Sequence, residues 1–177
     1  MVTRPLPEPG RPLAVLIGPM GAGKTRIGKR VARALDVPFT DSDRVIVDAH
    51  GPITDIFASR GEDAFRAIEH EVIAAALERT GILSLGGGAV IHPVTRALLA
   101  EHRIVYLTVE EDAVLARINT DKRPLLREDP GAWRRIFEGR EAHYRALATV
   151  VHDTSRVPID RVAADIAEWL KEQEDIA

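Results

Sequence analysis

One eight-residue run constrains the fold of this chain more than any other feature: GPMGAGKT at residues 18–25, which satisfies the pattern G-x-x-x-x-G-K-[ST]. In this pattern glycines let backbone N–H groups approach phosphate oxygens, the lysine reaches the β and γ phosphates, and the hydroxyl can ligate Mg²⁺. An apolar run at 13–17 precedes it as a predicted buried strand, and residues 26–35 follow as a predicted helix. The strand, loop and helix together predict a nucleoside triphosphate site at a helix N-terminus.

Length and charge restrict the class of protein further. The chain has 177 residues, 24 Lys and Arg against 27 Asp and Glu, and no cysteine. A net charge of −3 argues against a general nucleic-acid or membrane-surface binder, and the lack of cysteine excludes disulfides and cysteine-ligated metals. With no apolar stretch long enough to span a membrane, we expect a cytoplasmic monomer with neither nucleic acid nor membrane as a partner.

The rest of the chain alternates predicted strands and helices. Four prolines and a glycine mark residues 1–12 as a flexible leader, so we place a single domain at 13–173. Strands are predicted at 13–18, 37–40, 82–86, 103–108 and 149–152, with helices near 62–79, 109–117, 131–147 and toward the C-terminus. This order predicts an α/β fold, a five-stranded parallel sheet flanked by helices.

Two polar segments follow predicted strands, at the sheet edge where ligands bind in such folds. Asp41-Ser42-Asp43 places two carboxylates at alternate positions, which could serve a metal shell and a proton acceptor; a helix N-cap is the alternative. Residues 86–88 are all glycine, which permits either a close backbone approach to a ligand or a tight turn. Both segments are candidates for binding a second substrate.

A long polar stretch at 118–130 separates two of the predicted helices. Loops of this length inside a compact domain are usually functional or disordered. Its Lys122 and Arg123 could close over the transferring phosphoryl group, because that transition state spreads negative charge that arginine stabilises. We therefore expect a mobile lid there.

Taken together, the motifs resemble the shikimate kinase family over residues 13 to about 170. The matching segments are GPMGAGKT, DSD at 41–43, GEDAFRAIE at 61–69, SLGGG at 84–88, KRPLL at 122–126, and Tyr144-Arg145. The resemblance implies a P-loop fold like that of nucleoside monophosphate kinases. It also implies an ATP-dependent phosphotransferase with an alcohol acceptor, which phosphorylates the 3-hydroxyl of shikimate on the route to chorismate and the aromatic amino acids.

The resemblance implies the following ATP contacts. The loop and the first turn of its helix would hold the phosphates through Gly21, Ala22, Gly23, Lys24, Thr25 and Arg26. The lid and adenine side would contribute Arg123, Arg117 and Arg156. Thr25 and Asp41 would hold Mg²⁺, and the catalytic residues would be Lys24, Asp43 and Arg123.

The resemblance also implies a shikimate site. Asp43 would bind the ring hydroxyls and take a proton, and Gly87 and Gly88 would offer backbone contacts. Arg66 and Arg145 would clamp the carboxylate, whose planar shape matches the guanidinium group.

Each of these arginines has a simpler alternative. Arg66 could form helix ion pairs with Glu62 or Glu69, and Arg145 could pair with Glu141. Two other functions also stay open: a nucleotide-binding scaffold without catalysis, and a related kinase acting on gluconate or another hydroxy acid. The retained catalytic residues argue against the scaffold, and the FRxxE, triple-glycine and RPLL segments distinguish the chain from gluconate and adenylate kinases.

Overall fold

The computed structural model describes residues 10–117, 129 and 131–175. Its centre is a five-stranded parallel sheet in the order β2-β3-β1-β4-β5, which confirms the predicted fold class. The strands are β1 Pro12–Ile17, β2 Phe39–Asp41, β3 Gly81–Ser84, β4 Ile104–Thr108 and β5 Val150–Asp153. β1 begins at Pro12, so this strand takes up the last residue of the expected leader; residues 1–9 lie outside the described part.

Helices cover both faces of the sheet. They are α1 Lys24–Leu35, α2 Ser42–His50, α3 Ile53–Leu77, α4 Pro93–Leu99, α5 Glu111–Arg117, α6 Ala132–Leu147 and α7 Ile159–Asp175, with a 3₁₀ helix at Ala89–Ile91. The helix expected over 62–79 begins earlier, at Ile53, and Gly61 interrupts it with a φ of 81°. A glycine tolerates this left-handed conformation, so the backbone turns there without steric strain.

The side chains of alternate β1 residues point to opposite faces of the sheet, and each face has its own hydrophobic cluster. Leu16 packs with α1 and α7, where Ile27 and Ile166 are buried. Val15 and Ile17 pack on the other side, in a cluster with residues of α3, α4 and α6. This alternation follows from the two-residue period of a strand, and it leaves the strand ends free to carry polar loops.

The carboxyl ends of β1, β2 and β3 meet at one edge of the sheet. Leu16 pairs with Ser84, and Ser84 pairs with Asp41, so the loops that follow these strands start side by side. In open parallel sheets this edge is where ligands bind. Within the part of the chain that the structure describes, no helix combines the length and apolar character needed to cross a membrane.

Candidate active site

The phosphate loop connects β1 to α1 and folds around its lysine. The ammonium of Lys24 donates hydrogen bonds to the carbonyls of Gly18 at 2.8 Å and Pro19 at 2.9 Å. Gly23, at the N-cap of α1, has a φ of 85°, a left-handed conformation that favours glycine. Because the first N–H groups of a helix lack partners within it, the start of α1 at Lys24 offers donors and a positive dipole end to an anion.

Thr25 and Asp41 form an oxygen pair beside this loop. The Thr25 hydroxyl donates to Oδ2 of Asp41 at 2.6 Å. Oδ1 of the same carboxylate accepts from the N–H groups of Asp43 at 3.1 Å and Arg44 at 3.3 Å, and so caps α2. The two interpretations of the DSD segment are therefore compatible, because one carboxylate caps the helix and also faces the phosphate loop.

This oxygen pair suits Mg²⁺, a hard cation that usually takes one or two protein oxygens and completes its shell with phosphates and water. Among the described residues no group of three or more His, Cys, Asp or Glu side chains could hold a metal. One hydroxyl and one carboxylate leave most of the coordination shell of Mg²⁺ to phosphates and water.

Residues 86–88 form a turn after β3 that we call the glycine turn. None of its three residues has a positive φ, so the turn requires glycine for space rather than for a left-handed backbone. A Cβ on Gly86 would collide with Oδ1 of Asp43, and one on Gly88 would lie 2.5 Å from Nη2 of Arg66. The missing side chains thus make room for two charged groups expected at the acceptor site.

The middle glycine brings the turn against the phosphate loop. A Cβ on Gly87 would lie 3.4 Å from the carbonyl oxygen of Gly18 and 3.7 Å from Nη1 of Arg140. The glycine turn and the phosphate loop therefore lie side by side. A second arginine, Arg140 of α6, also reaches the glycine turn.

Arg66 is held in place by a buried carboxylate. Its Nη1 donates to Oε2 of Glu69 at 2.6 Å, and its Nη2 donates to Oε1 of Glu62 at 3.3 Å. The Glu69 side chain is only 3% exposed; burial raises its pKa, and the guanidinium opposes that rise. Nε of Arg66 is buried and has no hydrogen-bond partner among the described residues. The expected helix ion pairs exist, and they fix a guanidinium that lies at the glycine turn.

The structure does not bring Arg145 to this group. Its side chain is 62% exposed, and Nε and Nη2 donate to Oε1 of Glu141 at 2.9 and 2.7 Å. Arg145 therefore forms the surface pair that the sequence offered as the alternative. The arginine of α6 that reaches the turn is Arg140.

Helical spacing explains this difference and could have identified Arg140. Trp133, Phe137, Arg140 and Tyr144 follow the i, i+4, i+7, i+11 spacing of one helix face. Trp133 and Tyr144 are buried, so this face looks into the protein. Arg145 follows Tyr144 by one residue and is turned away by about 100°.

The expected adenine-side residues lie at the other end of the same sheet edge. Nη2 of Arg117 donates to the carbonyls of Thr154 at 2.5 Å and Ser155 at 2.6 Å, after β5. Arg156 is exposed and lies 3.5 Å from Oε2 of Glu110, and Arg26 lies exposed on the first turn of α1. Arg123 and nearly all of the expected lid at 118–130 lie outside the described residues.

A phosphate loop after the central strand, an adjoining oxygen pair and a glycine turn with Arg66 and Arg140 beside it are the features of a P-loop phosphotransferase. Comparison with known proteins identifies the family within this class. The family model for shikimate kinase matches residues 20–171. The chain belongs to the shikimate kinase family.

Curated relatives and solved structures agree with this assignment. A shikimate kinase of Streptomyces avermitilis is 42% identical over 92% of this chain and 98% of its own length. One of Mycobacterium avium is 47% identical over 82% of this chain and 85% of its own. The structure of shikimate kinase from Acinetobacter baumannii in complex with shikimate matches with a TM-score of 0.83 and 32% identity, covering 94% of this chain and 96% of that one.

Proposed function

We propose that this chain transfers the γ-phosphoryl group of ATP to the 3-hydroxyl of shikimate, giving shikimate 3-phosphate and ADP. One observation carries the proposal beyond family membership: Asp43, Arg66 and Arg140 lie around a single glycine turn beside the phosphate loop. A carboxylate for hydroxyl groups and two guanidinium groups for an acid match an acceptor that has both functions.

On the donor side, residues 21–26 bind the ATP phosphates. Lys24 is held at the loop by two carbonyls, and from there its ammonium can stabilise charge on the β and γ phosphates. Thr25 and Asp41 would hold Mg²⁺, which would supply positive charge that neutralises the phosphate oxygens. We assign Arg123 of the lid to the same donor side, and Arg117 and Arg156 to the adenine side.

On the acceptor side, Arg66 and Arg140 bind the carboxylate, and Gly87 and Gly88 contribute backbone contacts. The position of the Arg66 guanidinium supports this assignment, since Glu69 holds it beside the glycine turn. Arg140 replaces Arg145 in this role, because Arg140 lies at the turn whereas Arg145 is paired on the surface.

We assign the role of proton acceptor to Asp43. As the acceptor oxygen forms its bond to the γ phosphorus, the bond from that phosphorus to the β–γ bridging oxygen breaks, and ADP leaves. The hydroxyl proton passes to the Asp43 carboxylate, which lies against Gly86 on the side of the turn next to α2.

We also propose that the protein acts in the cytoplasm as a monomer and has neither nucleic acid nor membrane as a partner. The balance of 24 basic against 27 acidic residues supports this view. Sedimentation of the purified chain with and without ATP tests the monomer directly, and a dimer at micromolar concentration contradicts it.

A coupled assay of ADP release tests the function. With Mg²⁺ and ATP, shikimate should be phosphorylated, whereas gluconate and AMP should give only background, and ³¹P NMR should show a phosphate ester at the 3-hydroxyl. Asp43→Asn, which keeps size and polarity but removes the proton acceptor, serves as the control. Equal turnover of gluconate or AMP contradicts the acceptor assignment, and ATP binding without any turnover supports a nucleotide-binding scaffold instead.

A further inference from the structure

Helix α6 contacts both substrate loops through side-chain hydrogen bonds. The indole Nε1 of Trp133 donates to the carbonyl of Met20 in the phosphate loop at 2.9 Å. The hydroxyl of Tyr144 donates to the carbonyl of Gly87 in the glycine turn at 2.5 Å. The two donors are eleven residues apart and lie on the same face of the helix, so one rigid element reaches both loops.

In the phosphate loop, Lys24 and Trp133 donate to different backbone carbonyls. Gly18 and Pro19 offer their carbonyls to the ammonium of Lys24. The next carbonyl, that of Met20, accepts from Trp133. Trp133 therefore fixes the part of the loop that the lysine does not hold.

In the glycine turn, too, one carbonyl accepts from α6 while its neighbours accept from other donors. The carbonyls of Gly86 and Gly88 accept from backbone N–H groups of the 3₁₀ helix that follows. The carbonyl between them, that of Gly87, accepts from Tyr144. The middle peptide of the turn, which lies against Arg140, is thus held by α6.

Both donors are themselves rigidly packed. Trp133 is 3% exposed and stacks on Phe137 with ring centroids 5.0 Å apart. Tyr144 is fully buried and stacks on Tyr106 at 5.3 Å. Burial raises the pKa of Tyr144 to about 12, so its hydroxyl keeps the proton that it donates.

We propose that Trp133 and Tyr144 are positioning residues, each for one substrate: Trp133 sets the phosphate loop for ATP, and Tyr144 sets the glycine turn and, with it, Arg140 for shikimate. The inference rests on the proposed function for the identity of the two substrates. The loops also lie close together, since a Cβ on Gly87 would come within 3.6 Å of the backbone N of Met20. Two neighbouring loops and one helix bonded to both define the geometry between donor and acceptor.

Steady-state kinetics of Tyr144→Phe and Trp133→Phe separate these roles. Each change keeps an aromatic ring in the stack, removes one donor and leaves one carbonyl unpaired. Tyr144→Phe also removes the hydrogen bond between the Tyr144 hydroxyl and Arg140. Tyr144→Phe should raise the KM for shikimate by roughly 5- to 100-fold and leave the KM for ATP within about twofold. Trp133→Phe should show the reverse pattern. Residues that only stabilise the fold would lower Tm and the active fraction without changing either KM, and that outcome overturns the proposal.

Tyr106→Phe provides a matched control. Its hydroxyl is buried on the same ring stack but has no hydrogen-bond partner among the described residues. Both KM values should therefore remain those of the unmodified protein. A loss in Tyr106→Phe equal to that in Tyr144→Phe would assign the effect to the ring stack and overturn the role of the Tyr144 hydroxyl.

Calorimetric titration with ADP separates this inference from the proposed function. Trp133→Phe should weaken ADP binding by about 5-fold or more, whatever the acceptor is, and Tyr144→Phe should not. If the unmodified chain fails to phosphorylate shikimate, the function fails while the Trp133 assignment still stands on the ADP result. Unchanged ADP affinity in Trp133→Phe overturns that assignment even if shikimate is the substrate.

Discussion

The Thr25 hydroxyl and the Asp41 carboxylate join the loop after β1 to the helix after β2 through a hydrogen bond of 2.6 Å. The other oxygen of Asp41 accepts two N–H groups at the start of α2. One carboxylate thus has a structural task and a proposed metal-binding task, and substitution can separate them.

Asp41→Asn and Asp41→Ala should differ in stability but agree in metal dependence. Asparagine caps helices about as well as aspartate, whereas alanine should cost about 1 kcal/mol of unfolding free energy. Both substitutions remove the charge beside Thr25, so both should raise the Mg²⁺ concentration for half-maximal activity by about tenfold. Chemical denaturation and Mg²⁺ titrations of activity measure the two effects; unchanged Mg²⁺ dependence in both variants would remove Asp41 from the metal site.

Arg140→Ala and Arg145→Ala test which arginine of α6 binds the substrate carboxylate. A charge-assisted hydrogen bond contributes roughly 1.5–3 kcal/mol, so Arg140→Ala should lower kcat/KM for shikimate by roughly 10- to 150-fold. Arg145 is exposed and paired with Glu141, so its loss should change stability little and leave the kinetics near normal. The reverse result, with Arg145→Ala impaired and Arg140→Ala active, would restore the expectation from the sequence.

Gly88→Ala should displace Arg66 without unfolding the protein. The added Cβ would lie 2.5 Å from Nη2 of Arg66, and the end of that side chain can move more easily than backbone. The KM for shikimate should therefore rise about tenfold or more, and Tm should fall as well, because the displaced guanidinium leaves the buried Glu69 carboxylate. Gly139→Ala on α6 is the control, because its Cβ meets nothing within 4 Å and should stabilise the helix by about 0.5–1 kcal/mol. A normal KM in Gly88→Ala would show that the turn tolerates a side chain.

His152 should make stability depend on pH. Burial lowers its pKa below 6.5, and its Nε2 has no hydrogen-bond partner among the described residues. The unfolded chain therefore binds a proton at higher pH than the folded chain, so the stabilisation is present above pH 6.5 and is lost as the pH falls through the lowered pKa. Denaturation between pH 8 and 5 should show that His152→Gln loses less stability on acidification than the unmodified protein. Parallel pH curves would contradict this assignment.

The sequence was most informative where function restricts residue type. The phosphate loop, the five strands and the helix cap in the DSD segment could be predicted because residue type restricts left-handed turns, buried strands and caps. The arginine proposed for the acceptor could not be chosen from motif position alone, since Arg140 and Arg145 lie on the same helix. Their different orientations follow from helical periodicity, which points Arg140 inward with Trp133 and Tyr144.

Other features depend on tertiary contacts that residue types do not reveal. Trp133 and Tyr144 donate to backbone carbonyls 113 and 57 positions away along the chain, and any residue could provide those acceptors. Helical spacing of a Trp and a Tyr predicts that their rings are buried. The hydrogen-bond partner of the indole N–H or the phenol hydroxyl can be identified only from the tertiary structure.

The pairing of β1 with β3 has a consequence for the reaction itself. Leu16 lies opposite Ser84, so the phosphate loop and the glycine turn leave two adjacent strands at the same level. Adjacent strands are about 4.8 Å apart, a spacing set by backbone hydrogen bonds rather than by side chains. The separation of the two loops where they leave the sheet is therefore set by backbone hydrogen bonds. Substitutions of core side chains can lower Tm without changing this separation.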